Sequence, residues 1–76
     1  MARPTLSKAF GLLLKERRKA AGISREALAY RAKVRRTYVG LVERGKRNAS
    51  LHISLRLARA LTIPLAKLIA EAERQI

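Results

Sequence analysis

Apolar residues recur along this chain at helical rather than strand spacing. Leu6, Phe10, Leu13, Leu14 and Arg17 fall on one stripe with Ala20 and Ala21 behind them, which predicts an amphipathic helix over Thr5 to Ala21. Pro4 and Thr5 suit its start, and Gly22 offers the left-handed stop that helices commonly need just past their end. Ser24 can then cap a second helix, with Ile23 stapled against Leu28, running to about Ala32. Lys33 and Val34 form a tight connection. A third helix begins near Arg35, turns Val39 and Val42 inward and stops at Gly45. Beyond a basic loop, Ser50 caps a fourth helix over Leu51 to Leu61, with Leu51, Leu55, Ala58 and Leu61 on one stripe. Thr62-Ile63-Pro64 breaks it. Pro64 is acceptable in the first turn of a fifth helix striped by Leu65, Leu68, Ile69, Ala72 and Ile76. With no strand pattern, repeat, linker or low-complexity tract, the expected fold is all-α with five helices.

Length makes this one domain over residues 1–76, since a second core normally needs about 50 residues of its own. Its core is expected within 6–70. Charge changes the picture more: 18 Lys and Arg stand against five Glu and no Asp, a formal +13. Disorder is not the default, because 49% of residues are hydrophobic. Without Cys there is no disulfide, thiolate nucleophile or cysteine zinc site, and the lone His52 cannot build a metal site, so neither metal nor cofactor is expected. The carboxylates Glu16, Glu26, Glu43, Glu71 and Glu73 are scattered and mostly flanked by cations, which argues against an enzyme. Apolar runs such as Phe10 to Leu14 fall far short of the roughly 18 residues that span a bilayer. The acid-free first fifteen residues, with Arg3, Lys8 and Lys15, faintly suggest a transit peptide. We read them instead as part of the fold, because they run in register into the first helix. The charge excess points to a polyanion, with nucleic acid first and an anionic membrane surface second.

Two short helices joined by a tight turn and followed by a basic loop are what a DNA-binding helix-turn-helix requires. Small Ala29 at the crossing lets the two backbones approach. The segments that carry this pattern are Leu14-Lys15-Glu16-Arg17-Arg18, Gly22-Ile23-Ser24, Glu26-Ala27-Leu28-Ala29, Arg36-Thr37-Tyr38-Val39, Glu43-Arg44-Gly45-Lys46-Arg47-Asn48 and Ala58-Arg59-Ala60-Leu61. In their order and spacing, over about Phe10 to Ala70, the chain resembles the Cro and lambda-repressor-like (XRE) helix-turn-helix family. Within that family it is most similar to small stand-alone regulators such as restriction-modification controller proteins. It departs from the family pattern at Arg25, where Gln is usual, at Lys33 and Thr62, where Gly is usual, and at Arg35, where a Ser or Thr cap is usual.

On this reading the third helix enters the major groove, and Arg35, Arg36, Thr37 and Leu41 are the candidate base contacts. Arg36 is the foremost, because a guanidinium bonds bidentately to guanine O6 and N7. Arg35 can equally hold a phosphate, and Leu41 can equally pack against the following loop. Phosphate contacts fall to Ser24, Arg25, Tyr38, Arg44, Lys46, Arg47 and Asn48, of which Ser24 and Arg25 use the anion-favouring start of a helix. Glu43 is the odd acid in this basic stretch, and the resemblance implies that it pairs with Arg18.

The fifth-helix stripe of Leu65, Leu68, Ile69, Ala72 and Ile76 exceeds what the first four helices can easily cover, so residues 64–76 are expected to form a homodimer. Its symmetry places two recognition helices about 34 Å apart, on an inverted-repeat operator. The expected function is a sequence-specific transcriptional regulator of double-stranded DNA in a bacterial or phage setting, cytoplasmic and nucleoid-associated, with RNA polymerase as a further candidate partner. Three rivals stay open: an antitoxin with the same fold, a membrane-active basic helical peptide, and an RNA-binding or nucleoid-coating protein without operator specificity.

Overall fold

Five helices follow one another in the computed structural model, which describes residues 4–76; Arg3 lies outside them. They are α1 (Leu6–Ala20), α2 (Arg25–Ala32), α3 (Arg36–Glu43), α4 (Leu51–Ala60) and α5 (Leu65–Glu73), with no strand among the described residues. Three of them start as the hydroxyl residues dictate. Thr5, Ser24 and Ser50 sit in extended backbone and accept from the N–H groups of Lys8, Ala27 and Ile53 at 3.2, 3.0 and 3.1 Å. Each such cap contributes about 1 kcal/mol. α3 and α5 begin instead at Arg35 and Pro64, without a side-chain cap.

Two of the turns are left-handed at glycine, Gly22 and Gly45, and two at residues that carry a Cβ. Lys33 adopts φ 59° and Thr62 φ 57°, a conformation that costs an L-residue roughly 1 kcal/mol. At Lys33 the strain is offset by closure of the turn, whose backbone N–H groups return to Ala29 and Tyr30.

α1 packs on α3 and α5, and α2 packs on α3 and α4. Leu14, Leu28, Val39, Val42, Leu57 and Leu68 are the largest fully buried side chains at the centre. The α1–α3 crossing depends on Gly11, where a Cβ would stand 2.0 Å from the Val42 carbonyl oxygen. An ion pair from Arg17 to Glu71 at 2.5 Å ties α1 to α5.

Of the expected α4 stripe, Ala58 and Leu61 are buried but Leu51 and Leu55 are not, and the expected α5 stripe faces inward at unequal depth. In α4 the buried face is Ser54, Leu57 and Ala58, while Leu51 stands exposed at the helix start and Leu55 is half-buried. In α5 the expected dimer stripe divides. Leu68 and Ala72 have no solvent exposure; they close the core of the single chain and cannot meet a partner. Leu65 and Ile69 are half-buried and Ile76 is exposed. The physical reason is that α5 lies along α1 and α4, so five short helices need its innermost row for their own interior.

Candidate nucleic-acid interface

The turn from Lys33 to Arg35 brings the first turns of α2 and α3 side by side. Between them lies an open cleft of about 510 Å³, lined by Arg18, Ser24, Arg25, Glu26, Arg36, Thr37, Gly40 and Arg44. Five of the residues assigned above to DNA contact therefore converge on one surface: Ser24, Arg25, Arg36, Thr37 and Arg44. Arg36 and Thr37 are exposed, and no side chain caps the start of α3.

The other expected contacts lie around this cleft rather than in it. Arg35 and Tyr38 line a second, shallower concavity of about 240 Å³ with Lys33, Val34 and Ile53. Tyr38 is half-buried, with the Arg47 guanidinium 5.7 Å from its ring centroid. Asn48 accepts a hydrogen bond from the Ser7 hydroxyl through Oδ1, which fixes the basic loop to the start of α1. Gly45 makes the same junction tight, since a Cβ there would reach 2.5 Å from the Lys8 side chain. Lys46 is exposed beside it. Leu41 is half-buried and lines neither concavity.

Glu43 stands behind the cleft and is almost wholly buried. Arg18 donates to it through Nε at 2.6 Å and Nη2 at 3.2 Å, and Arg25 donates through Nε at 2.9 Å. Arg18 also donates to the Ile23 carbonyl at 2.9 Å, so the end of α3, the end of α1 and the start of α2 are held through one carboxylate. Burial by itself pushes the Glu43 carboxyl up, but the hydrogen bonds and charges of Arg18 and Arg25 outweigh it and hold the pKa below 4.5. Arg25, expected as a phosphate clamp, thus spends Nε inside the fold and offers only its outer edge to a ligand.

The role of one cleft side chain goes beyond the sequence reading, which names Glu26 only as a scattered carboxylate and as part of the helix-turn-helix pattern. Glu26 Oε1 accepts from Arg36 Nη1 at 2.7 Å, both side chains being mostly exposed. The available signal was weak: an acid in the first turn of α2, which the helix dipole alone accounts for. The second carboxylate pair missed, Arg17 with Glu71, spans 54 residues and lies beyond any local pattern.

Such a surface can hold a rod-like polyanion: an exposed helix start at the centre, with cations on either side. Among the described residues, no group of His, Cys, Asp or Glu can hold a metal ion, and no helix is long and apolar enough to cross a membrane. No curated protein matches the sequence. Solved structures do. The restriction-modification controller protein C.AhdI from Aeromonas hydrophila is 51% identical, with TM-score 0.78 over 83% of this chain and 94% of its own. The clp gene regulator ClgR from C. glutamicum is 27% identical, with TM-score 0.90 over 97% of this chain and 95% of its own. Residues 14–68 match the helix-turn-helix family HTH_3, which spans α2, α3 and the ion-paired Arg18 and Glu43. The chain belongs to this XRE-type helix-turn-helix family of DNA-binding transcription regulators, and it is not an enzyme.

Proposed function

We propose that this protein reads an inverted-repeat operator as a homodimer, with α3 in the major groove, and regulates transcription from it. The carrying observation is the convergence of Arg36, Thr37, Ser24, Arg25 and Arg44 on one cleft between two helix starts. Arg36 and Thr37 are placed to reach base edges, which specify sequence, while Ser24, Arg25 and Arg44 hold the flanking phosphates, which fix register. Lys46, Arg47 and Asn48 extend the phosphate track along the basic loop, and Arg35 and Tyr38 extend it beside the second concavity.

Size supports the dimer. The protomer measures 35 × 23 × 22 Å and carries one α3, enough for one half-site, and two half-sites one helical turn apart lie about 34 Å from centre to centre. Leu65 and Ile69, both half-buried, are the part of the α5 stripe that a partner can meet. Leu6 is 42% exposed and lines the same small cavity as Ile69, so it widens that apolar edge.

Selection of bound sites from random duplex DNA tests this reading. The expected result is two inverted half-sites centred about one helical turn apart, and a complex of two protomers per duplex in sedimentation. Arg36→Ala should flatten the preference at one base pair in each half-site. Enrichment of no sequence, or of single half-sites bound by one protomer, would overturn it.

A further inference from the structure

The Glu26 carboxylate is out of place on a surface that collects phosphates. It is the one acid among the described residues lining the cleft, and it is exposed there, with its side chain 71% accessible. Beside the DNA backbone such a group is repelled, and an exposed ion pair returns little folding stability. Base edges are different. The N4 amine of cytosine is a donor that a carboxylate can accept, in the same groove where guanine O6 and N7 accept from arginine.

The geometry of the pair fits both tasks. Glu26 Oε1 takes Arg36 through Nη1, and the Arg36 side chain makes no other hydrogen bond among the described residues. The parallel N–H bonds of Nε and Nη2, the edge that matches guanine O6 and N7, are left open. One carboxylate oxygen is spent on Arg36, and Glu26 Oε2 makes no hydrogen bond among the described residues. A flexible arginine is thereby held in one place before it meets DNA, which reduces the ordering cost on binding. Because Glu26 lies in the first turn of α2 and Arg36 starts α3, the pair joins the two helices within the lining of the cleft.

We propose that Glu26 is a specificity-determining residue: it positions the Arg36 guanidinium for guanine and presents its second oxygen to the N4 amine of a cytosine in the adjoining base pair. This rests on the reading that α3 enters the major groove. It adds that a carboxylate on α2 shares the work of recognition, and that each half-site contains a G whose neighbouring C, on either strand, is also selected.

Site selection with wild type, Glu26→Ala and Glu16→Ala tests it, with thermal melts to establish that all three fold. Glu16 is an exposed acid on α1 that lines none of the concavities, so its loss controls for the general effect of removing a negative charge. Glu26→Ala should lose the cytosine preference, weaken the guanine preference and lower the ratio of operator to random-DNA affinity roughly 10-fold or more, the scale of one good base contact. Glu16→Ala should keep the wild-type base preferences. If Glu26→Ala selects the same site with the same ratio as wild type, or only matches the change seen in Glu16→Ala, the proposal is overturned. If wild type itself selects no site, the groove reading fails and the inference falls with it.

Discussion

Glu43 shows how a single carboxylate can be worth more than a row of surface charges. Its desolvation is repaid by three donated hydrogen bonds from two arginines, Arg18 and Arg25, and one partner, Arg18, is itself buried. Replacing Glu43 by Gln removes the only counter-charge of the Arg18 guanidinium among the described residues. Breaking a buried pair of this kind costs about 3 kcal/mol or more. In a domain of this size that corresponds to a fall in Tm of roughly 15 °C, and an unchanged melting temperature would count against the whole account of this site. The pH dependence has a definite sign. A carboxylate whose folded pKa lies below its value of 4.5 in the open chain stabilises the fold above that value, and this contribution is lost as pH falls through the folded pKa. Thermal melts from pH 7 down into the acid range should therefore narrow the gap between wild type and Glu43→Gln, the wild type losing more of its stability below about pH 4.5.

At the scale of elements, Gly11 decides how α1 meets α3. Propensity alone makes Ala at a mid-helix glycine better by about 1 kcal/mol. Packing reverses this, because the new methyl would lie 2.0 Å from the Val42 carbonyl oxygen and 3.1 Å from that of Glu43, both backbone atoms. Gly11→Ala should therefore be destabilising by about 2 kcal/mol, read as a lower urea midpoint with an unchanged slope. By moving the end of α3 it should also weaken DNA binding; a gain in stability would show that α1 can slide without cost. Helix number, order and caps were legible because they depend on neighbours in sequence: Thr5, Ser24 and Ser50 each cap a helix three residues ahead. Gly11 was not, since its partner is 31 residues away. The turn of the α4 inner face toward Ser54 and Leu57 escaped for a related reason. Adjacent stripes such as Leu51-Leu55 and Ser54-Leu57-Ala58 are both plausible inner faces until the neighbouring helix chooses one. In the site, residue types announced the basic surface, and the resemblance implied a partner for Glu43. Capture of Arg25 by the same acid follows from a long cation standing at the start of α2, and only the folded geometry reveals it.

For the whole molecule the charge of +13 becomes a measurable quantity once it is tied to a number of protomers. Each phosphate neutralised by a cation releases condensed counterions, so log Kobs falls with log salt by about 0.9 per contact. Lys46 is exposed in the basic loop and makes no ion pair among the described residues, so it is available to a phosphate without unpicking the fold. A monomer would lose one contact in Lys46→Ala and its slope would flatten by about 0.9; a homodimer loses two, and the change should be about 1.8. Arg59, exposed on α4 and outside the concavities, provides the comparison: its removal lowers net charge equally but should leave the slope nearly as it was. Titration of an operator duplex at several salt concentrations reads both variants. A change near 1.8 for Lys46→Ala beside little change for Arg59→Ala establishes the loop as a phosphate clamp used twice per complex. Equal shifts in the two variants would mean that the excess charge acts as a diffuse field, and that the loop has no defined phosphate to hold.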